Sequence, residues 1–404
     1  MKILVINAGS SSFKYQLLDM TTKTVLCSGL VERIGEAMGK MVHKIAPDTD
    51  LEEKIVVEQP FASHVEGKHL VVKTIADPVK GVIKTLSEVT AIGHRVVMGG
   101  ESIKESVLIT EEVKQRIRDC FPLSPLHNPA NLAGIEVAEQ LFPGVPNVGV
   151  FDTEFHQSMP ETAYLYPLPY SLYEEMRIRR YGYHGTSHRY VTHKAAEALG
   201  KHVDQVNLIT CHLGNGCSIT AVRNGKSVDT SMGATPLEGV MMGTRSGDID
   251  PALVPYLITS KGMTASDVDA LMNKQSGLKG VCGLNDMRDI HAACATGDEK
   301  AILALNMFIY RIKKYIGSYY AVLGRVDALV FTAGIGENDG ITRAGICEGM
   351  QHMGIEIDPA ANAARSSTIR RISKPGAALP VLIVPTNEEL AIAEATARIV
   401  SKKK

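Results

Sequence analysis

The sequence carries no surplus of charge of either sign: 43 Lys and Arg stand against 44 Asp and Glu, a formal net charge of −1. A chain so balanced has no overall basic field, which argues against nucleic acid and anionic lipid as partners. The only like-charge run, Lys402 to Lys404, reads as a solvated helix end. Long apolar runs are missing too. None approaches the ~18 residues of a membrane span, and the first, Ile3 to Ile6, is too short for a signal-peptide core. These absences predict a cytoplasmic protein without a membrane partner. The seven cysteines include no C-x-x-C pair, which fits neither a disulfide framework nor a zinc ribbon and predicts reduced, structural thiols.

Three familiar motifs come close and fail. Gly35 to Met41 is one residue short of a Walker A loop and lacks its Ser or Thr. Gly334-Ile-Gly336 begins a dinucleotide fingerprint, but the third glycine falls at Gly340, and the position is too near the C-terminus for a full dinucleotide unit. His184 and His188 have the spacing of a zinc peptidase, with Gly185 where its general base would stand.

What is present is an α/β pattern over 404 residues, enough for two or three domains. Strand, small-residue turn and strand follow one another at Lys2 to Ile6, Asn7 to Ser12 and Phe13 to Asp19, with a third strand at Thr24 to Gly29. The phrase returns at Val206 to Cys211, His212 to Ser218 and Ile219 to Val222, which predicts two domains built on one unit. Helices are expected at 110–120, 131–141, 187–199, 300–323 and from Asn387 onward, with strands at 145–151, 328–332 and 381–384. The segment Ala333 to Asn338 reads as a loop, and Thr386 with Glu389 as a capping box.

Small-residue loops at 7–12, 99–100, 212–218 and 334–340 each follow an apolar strand. Their backbone N–H groups can surround phosphate oxygens, so together they point to a nucleotide. Arg95 and Arg245 stand in glycine-bounded loops, where a guanidinium can grip a carboxylate or phosphate, and Asp152 ends an apolar strand, where α/β folds place ligands. Each of the three could equally serve a structural ion pair. His184 can point into a cleft, while His188 reads as packed or solvated.

The phrases Asn7-Ala-Gly-Ser-Ser-Ser-Phe-Lys14, His94-Arg-Val-Val, Phe151-Asp-Thr-Glu-Phe-His156, Tyr181-Gly-Tyr-His-Gly-Thr-Ser-His188, His212-Leu-Gly-Asn-Gly216, Asp229-Thr-Ser-Met-Gly233, Gly243-Thr-Arg-Ser-Gly-Asp248, Gly334-Ile-Gly-Glu-Asn338 and Thr386-Asn-Glu-Glu389 closely resemble the acetate kinase family of short-chain acyl kinases. The resemblance implies the fold of sugar kinases and actin-like ATPases, two related α/β domains with an interdomain nucleotide cleft. The first would span 1–152 and 387–404 and the second 153–386. It also implies magnesium-dependent, reversible transfer of the ATP γ-phosphoryl group to acetate, giving acetyl phosphate and ADP, in a homodimer. Manganese is the alternative metal. Propionate or butyrate kinase, or a non-catalytic nucleotide-gated protein of the same fold, are the alternative functions.

By that resemblance Asn7 and Glu388 serve the metal, and Lys14 with His212, Leu213, Gly214, Asn215 and Gly216 the phosphates. Asp286, Met287 and Arg288, with Gly334, Ile335, Gly336, Glu337 and Asn338, hold the adenosine. Arg95 binds the acyl carboxylate beside an apolar pocket of Val97, Leu126, Tyr183 and Pro236, and His184 and Arg245 stabilise the transferring phosphoryl group. Asp152 is the family's acid-base residue. A carboxylate acceptor is already ionised near neutral pH, so positioning is the favoured role and proton transfer the alternative. Met98 and Tyr183 depart from the His and Phe usual in the family and leave acyl preference open.

Overall fold

The chain forms one eight-stranded and one six-stranded sheet in the computed structural model, which describes residues 1–9, 12–125 and 127–402. Each sheet belongs to its own unit, Met1–Glu154 with Asn387–Lys404, and Phe155–Thr386. Ser10 and Ser11 of the first turn, Leu126 of the expected acyl pocket, and Lys403 and Lys404 lie outside the described residues.

The first unit contains β1 (Lys2–Ala8), β2 (Phe13–Asp19), β3 (Thr24–Glu32), β4 (Gly39–Ile45), β5 (Glu53–Gln59), β6 (Val89–Val96), β7 (Val107–Leu108) and β8 (Asn147–Phe151), in the order β5-β4-β3-β2-β1-β6-β8-β7. Period-two alternation in β1 sets its two faces. Ile3 and Val5 pack with Ile392 and Ala393 of the helix Glu388–Ser401. Leu4 and Ile6 share a core with Val71 and Ile75 of the helix His64–Ile75 and Ala138 of the helix Asn128–Leu141. The C-terminal helix lies so close to β6 that a Cβ on Gly93 would meet Thr396 Oγ1 at 2.5 Å and Ile392 Cγ2 at 2.8 Å. β1, β6 and β8 run parallel, and their C-terminal ends put Asn7, Arg95 and Asp152 side by side.

The second unit contains β9 (Leu208–Leu213), β10 (Cys217–Arg223), β11 (Lys226–Thr230), β12 (Ala328–Thr332), β13 (Arg370–Arg371) and β14 (Val381–Ile383), in the order β11-β10-β9-β12-β14-β13. β9, β12 and β14 are parallel, and β9, β10 and β11 antiparallel. The series β3-β2-β1-β6-β8 and β11-β10-β9-β12-β14 therefore share one arrangement, to which the repeated strand-turn-strand phrase belongs.

Three local expectations change. Ala333–Asn338 is a short helix rather than a loop, because the Glu337 carboxylate turns back to accept from Ala333 N at 2.8 Å. The helix after His184 begins at Gly185, not Ser187, with His184 itself as a left-handed N-cap at φ 56°. The closing helix is capped by Asn387, whose Oδ1 accepts from Leu390 N at 2.9 Å, while the Thr386 hydroxyl pairs with Ser187 Oγ instead. All seven cysteines are free, and no helix among the described residues is long and apolar enough to cross a membrane.

Candidate active site

In the first unit an ion pair organises the strand ends. Arg95 Nε lies 3.0 Å from both oxygens of Asp152, and its Nη2 lies 2.6 Å from Oδ2. Asp152 is fully buried while the Arg95 side chain is 22% exposed, so the carboxylate is the hidden partner that aims the guanidinium. Nη1 faces Asn7 Oδ1 at 3.4 Å. Burial works to lower the Arg95 pKa, but the charges of Asp152 and Glu388 outweigh it and hold it above the usual arginine value.

Glu388 opens the C-terminal helix, 4.0 Å from Arg95 Nε. Burial raises its carboxyl pKa. Arg95 opposes the shift, and Asp152 and Glu389 add to it. Asn7 and Glu388 thus offer hard oxygen donors in a place where carboxylates repel one another, which fits a magnesium ion. Lys14 is exposed opposite Asn7 on β2. The turn following β6 is held by two asparagines that sequence reasoning missed. Asn131 accepts from Val97 N at 3.0 Å and donates to the Ala8 carbonyl at 2.7 Å, and Asn128 binds both backbone groups of Met98. Met98 is fully buried and Val97 nearly so.

In the second unit, the first turn of the helix Gly185–Ala198 carries Ser187 and His188 beside the capping His184, a spacing that puts all three on one side. Facing them are Thr210 and His212 of β9 and Ser218 of β10, which alternate onto the same sheet face. The His184 ring stacks on His212 with centroids 4.2 Å apart, and His184 Nδ1 pairs with Ser218 Oγ at 2.9 Å. These contacts hold a left-handed non-glycine residue, a strain of roughly 1–3 kcal/mol that functional sites tend to store.

Gly216, in the turn between β9 and β10, leaves a gap. A Cβ there would stand 3.5 Å from both His184 Nε2 and Arg245 Nη1. Arg245 reaches this point because its loop is tied down, Gly243 N donating to the Asn215 carbonyl at 3.0 Å and Asp248 N to the Gly239 carbonyl at 2.8 Å. Its own contacts are the Pro236 carbonyl at 3.1 Å and the Met242 sulfur. No carboxylate pairs with it among the described residues, and burial lowers its pKa. A half-buried guanidinium without a counter-ion, beside an imidazole nitrogen, is a place for an anion. Tyr183 is buried with its hydroxyl on the Ala234 carbonyl at 2.7 Å.

A cavity of this unit, about 1310 Å³, is lined by Gly214, Asn215, Asp286, Met287, Arg288, Gly334, Ile335 and Asn338, with Asn285, His291 and Asp339 among others. Asp286 caps the helix Met287–Ala295 and holds Arg288, whose guanidinium is the first cause of a carboxyl pKa pushed down to about 2. His291 Nε2 meets Asp339 Oδ2 at 2.7 Å, joining two walls of the cavity. Against expectation, Gly336 and Glu337 are outside the lining. Gly336 packs toward the Cys211 carbonyl, and the Glu337 carboxylate also accepts from Thr386 N. His212, Leu213 and Gly216 lie elsewhere too, buried in β9 or beneath Arg245. Sequence reasoning missed Arg343, whose buried guanidinium donates to Gly336 O and to both oxygens of Asn362 and so fixes the segment at 334–338.

Comparison with known proteins gives consistent matches. The model of the acetokinase family matches residues 2–394. An acetate kinase of Oleidesulfovibrio alaskensis is 70% identical over 399 residues, 99% of each chain. The crystal structure of Porphyromonas gingivalis acetate kinase superposes with a TM-score of 0.93 at 46% identity, covering 99% of both chains. A propionate kinase from Francisella tularensis gives a TM-score of 0.92 at 42% identity, covering 98% of this chain and 99% of its own.

Proposed function

The chain belongs to the acetokinase family, and from that premise we propose which of its groups carry the reaction. The fold is the one the sequence resemblance implied, that of sugar kinases and actin-like ATPases. The reaction is the reversible transfer of the ATP γ-phosphoryl group to acetate, giving acetyl phosphate and ADP.

The cavity of the second unit takes the nucleotide, its adenosine against Asp286, Met287, Arg288, Gly334, Ile335 and Asn338 and its phosphates toward Gly214, Asn215 and Gly216. The observation that carries this reading is the convergence of His184 Nε2 and Arg245 Nη1 on one point above Gly216. Charge spreads over the equatorial oxygens of a transferring phosphoryl group, and a guanidinium and an imidazole held beside one oxygen position stabilise it with little reorganisation.

In the first unit, Arg95 takes the acceptor carboxylate through the side of its guanidinium that Asp152 leaves open. Asp152 acts by orienting Arg95, because an ionised acceptor needs no base. Val97, Tyr183 and Pro236 are the proposed apolar contacts of the acyl methyl, and Lys14 a phosphate contact. Asn7 and Glu388 would hold magnesium, or manganese, which accepts the same oxygen donors. When bound, such a cation neutralises phosphate charge. A homodimer in the cytoplasm completes the proposal, with exposed Ile302, Leu303 and Tyr310 on the helix Glu299–Leu323 as surface a second copy would cover.

Trapping of acyl phosphate by hydroxylamine, with ATP, magnesium and acetate supplied, tests the assignment. Arg245→Ala should cut kcat on the order of 100-fold or more, the cost of one lost transition-state donor. ADP affinity should stay within about twofold, since Arg245 is outside the nucleotide cavity. Near wild-type kcat/KM for acetate would remove Arg245 from the mechanism.

A further inference from the structure

Behind His184 runs a line of hydrogen bonds that the transfer of charge to the phosphoryl group does not itself require. Ser218 Oγ lies 2.9 Å from His184 Nδ1 and 2.7 Å from His188 Nε2, and His188 Nδ1 lies 2.7 Å from Thr210 Oγ1. Ser218, His188 and Thr210 are all fully buried. Each hydroxyl has one proton to donate, and a neutral imidazole has one, so when the Ser218 proton is donated within the line all three bonds run in one direction.

We propose that Ser218 is a positioning residue that, with His188 and Thr210 behind it, fixes His184 as the neutral tautomer with its proton on Nε2. In this direction Thr210 donates to His188 Nδ1, His188 Nε2 donates to Ser218, and Ser218 donates to His184 Nδ1. The remaining His184 proton then sits on Nε2, the nitrogen that shares the point above Gly216 with Arg245. In the reverse direction an Nε2 lone pair would face the anion that Arg245 attracts. The inference rests on the reading of that point as the phosphoryl site.

Two further observations favour the neutral form. Burial, followed by the charges of His156 and His212, pushes His188 well below the usual histidine range, so the ring behind Ser218 is uncharged. The neighbouring Arg245 guanidinium would oppose a second positive charge at His184. A tautomer held by a second partner supplies a donor without a further buried charge.

Nitrogen-15 NMR of histidine-labelled enzyme with magnesium-ADP bound reads the tautomer directly, with His184→Gln assigning the resonances. The expected spectrum has His184 protonated at Nε2 and bare at Nδ1. Ser218→Ala should mix the two tautomers and lower kcat on the order of 10- to 100-fold, the usual cost of removing a group that orients a reactive one. KM for ATP should stay within about twofold, and Ser218→Thr, which keeps the hydroxyl, should restore most of the rate. A wild-type His184 protonated at Nδ1 alone, or on both nitrogens, overturns the proposal whatever the variants do. So does a slow Ser218→Ala enzyme whose His184 tautomer is unchanged, or one of undiminished rate. If His184→Gln itself kept full activity, the failure would lie in the reading of the phosphoryl site instead.

Discussion

Lys68 puts a charge where the fold gains least from it. Its side chain is 3% exposed, Nζ donates to the Gly134 carbonyl at 2.8 Å, and no carboxylate pairs with it among the described residues. Burial pushes its pKa down to about 8, from 10.5 in an unfolded chain. Between those values the unfolded chain binds more protons than the folded one, so this group makes stability rise with pH across that window. Below pH 8 both states are protonated and the full penalty is felt, about 3 kcal/mol for such a shift. Lys68→Met should therefore be the more stable protein near pH 7, with its advantage fading as the pH climbs from about 8 to 10.5. Urea unfolding of both proteins at several pH values measures the difference, and a gap independent of pH would contradict the lowered pKa. Lys68 was not legible in the sequence, where no helix was foreseen over His64–Ile75 and nothing local marks the lysine as buried. Arg95, Asp152, His184 and Arg245 were legible because each breaks an apolar strand end or sits among small residues. Ser218 and Arg343 were not, since their partners His188 and Asn362 lie 30 and 19 residues away and only the fold joins them.

At the scale of elements, the strands and long helices expected from the sequence are present, but β4, β5 and the helix His64–Ile75 were not foreseen and Ala333–Asn338 is a helix where a loop was expected. Within the expected helices the differences fall at their starts, where one side-chain hydrogen bond decides the boundary. The start of the closing helix is the case with consequences. Thr386 and Glu389 satisfy the capping-box pattern, yet Asn387 is the residue whose side chain receives the Leu390 N–H. Thr386 is drawn away to Ser187 Oγ, itself a partner of His212 Nδ1. Because Glu388 is the first residue of that helix, the cap also fixes a proposed metal ligand. Asn387→Ala should cost about 1 kcal/mol of helix-end stability, roughly a fivefold faster hydrogen exchange of the Leu390 amide. It should also raise the magnesium concentration needed for half-maximal rate. Thr386→Ala should leave that amide's exchange unchanged. Equal protection loss in both variants would return the capping role to Thr386.

For the molecule as a whole, the last eighteen residues, 387–404, belong to the unit formed by the first 154. The helix there covers Ile3, Val5, Val148 and Val150 on one face of the sheet, and exposing those four side chains would forfeit about 6–12 kcal/mol at 1.5–3 kcal/mol each. That is comparable with the entire stability of an ordinary domain, about 5–15 kcal/mol. The second unit is built from one uninterrupted stretch, residues 155–386, and the proposed nucleotide cavity is lined wholly by it. Removing residues 387–404 should therefore divide the protein's two capacities. Amides of β1, β6 and β8 should exchange as in an unfolded chain, while those of β9, β10 and β12 stay protected. ADP should still bind, measured by calorimetry, while no acyl hydroxamate forms from ATP and acetate. Retained protection in β1 would mean that the helix is dispensable to the first sheet. Loss of ADP binding from a second unit that stays protected would mean that the cavity alone does not hold the nucleotide.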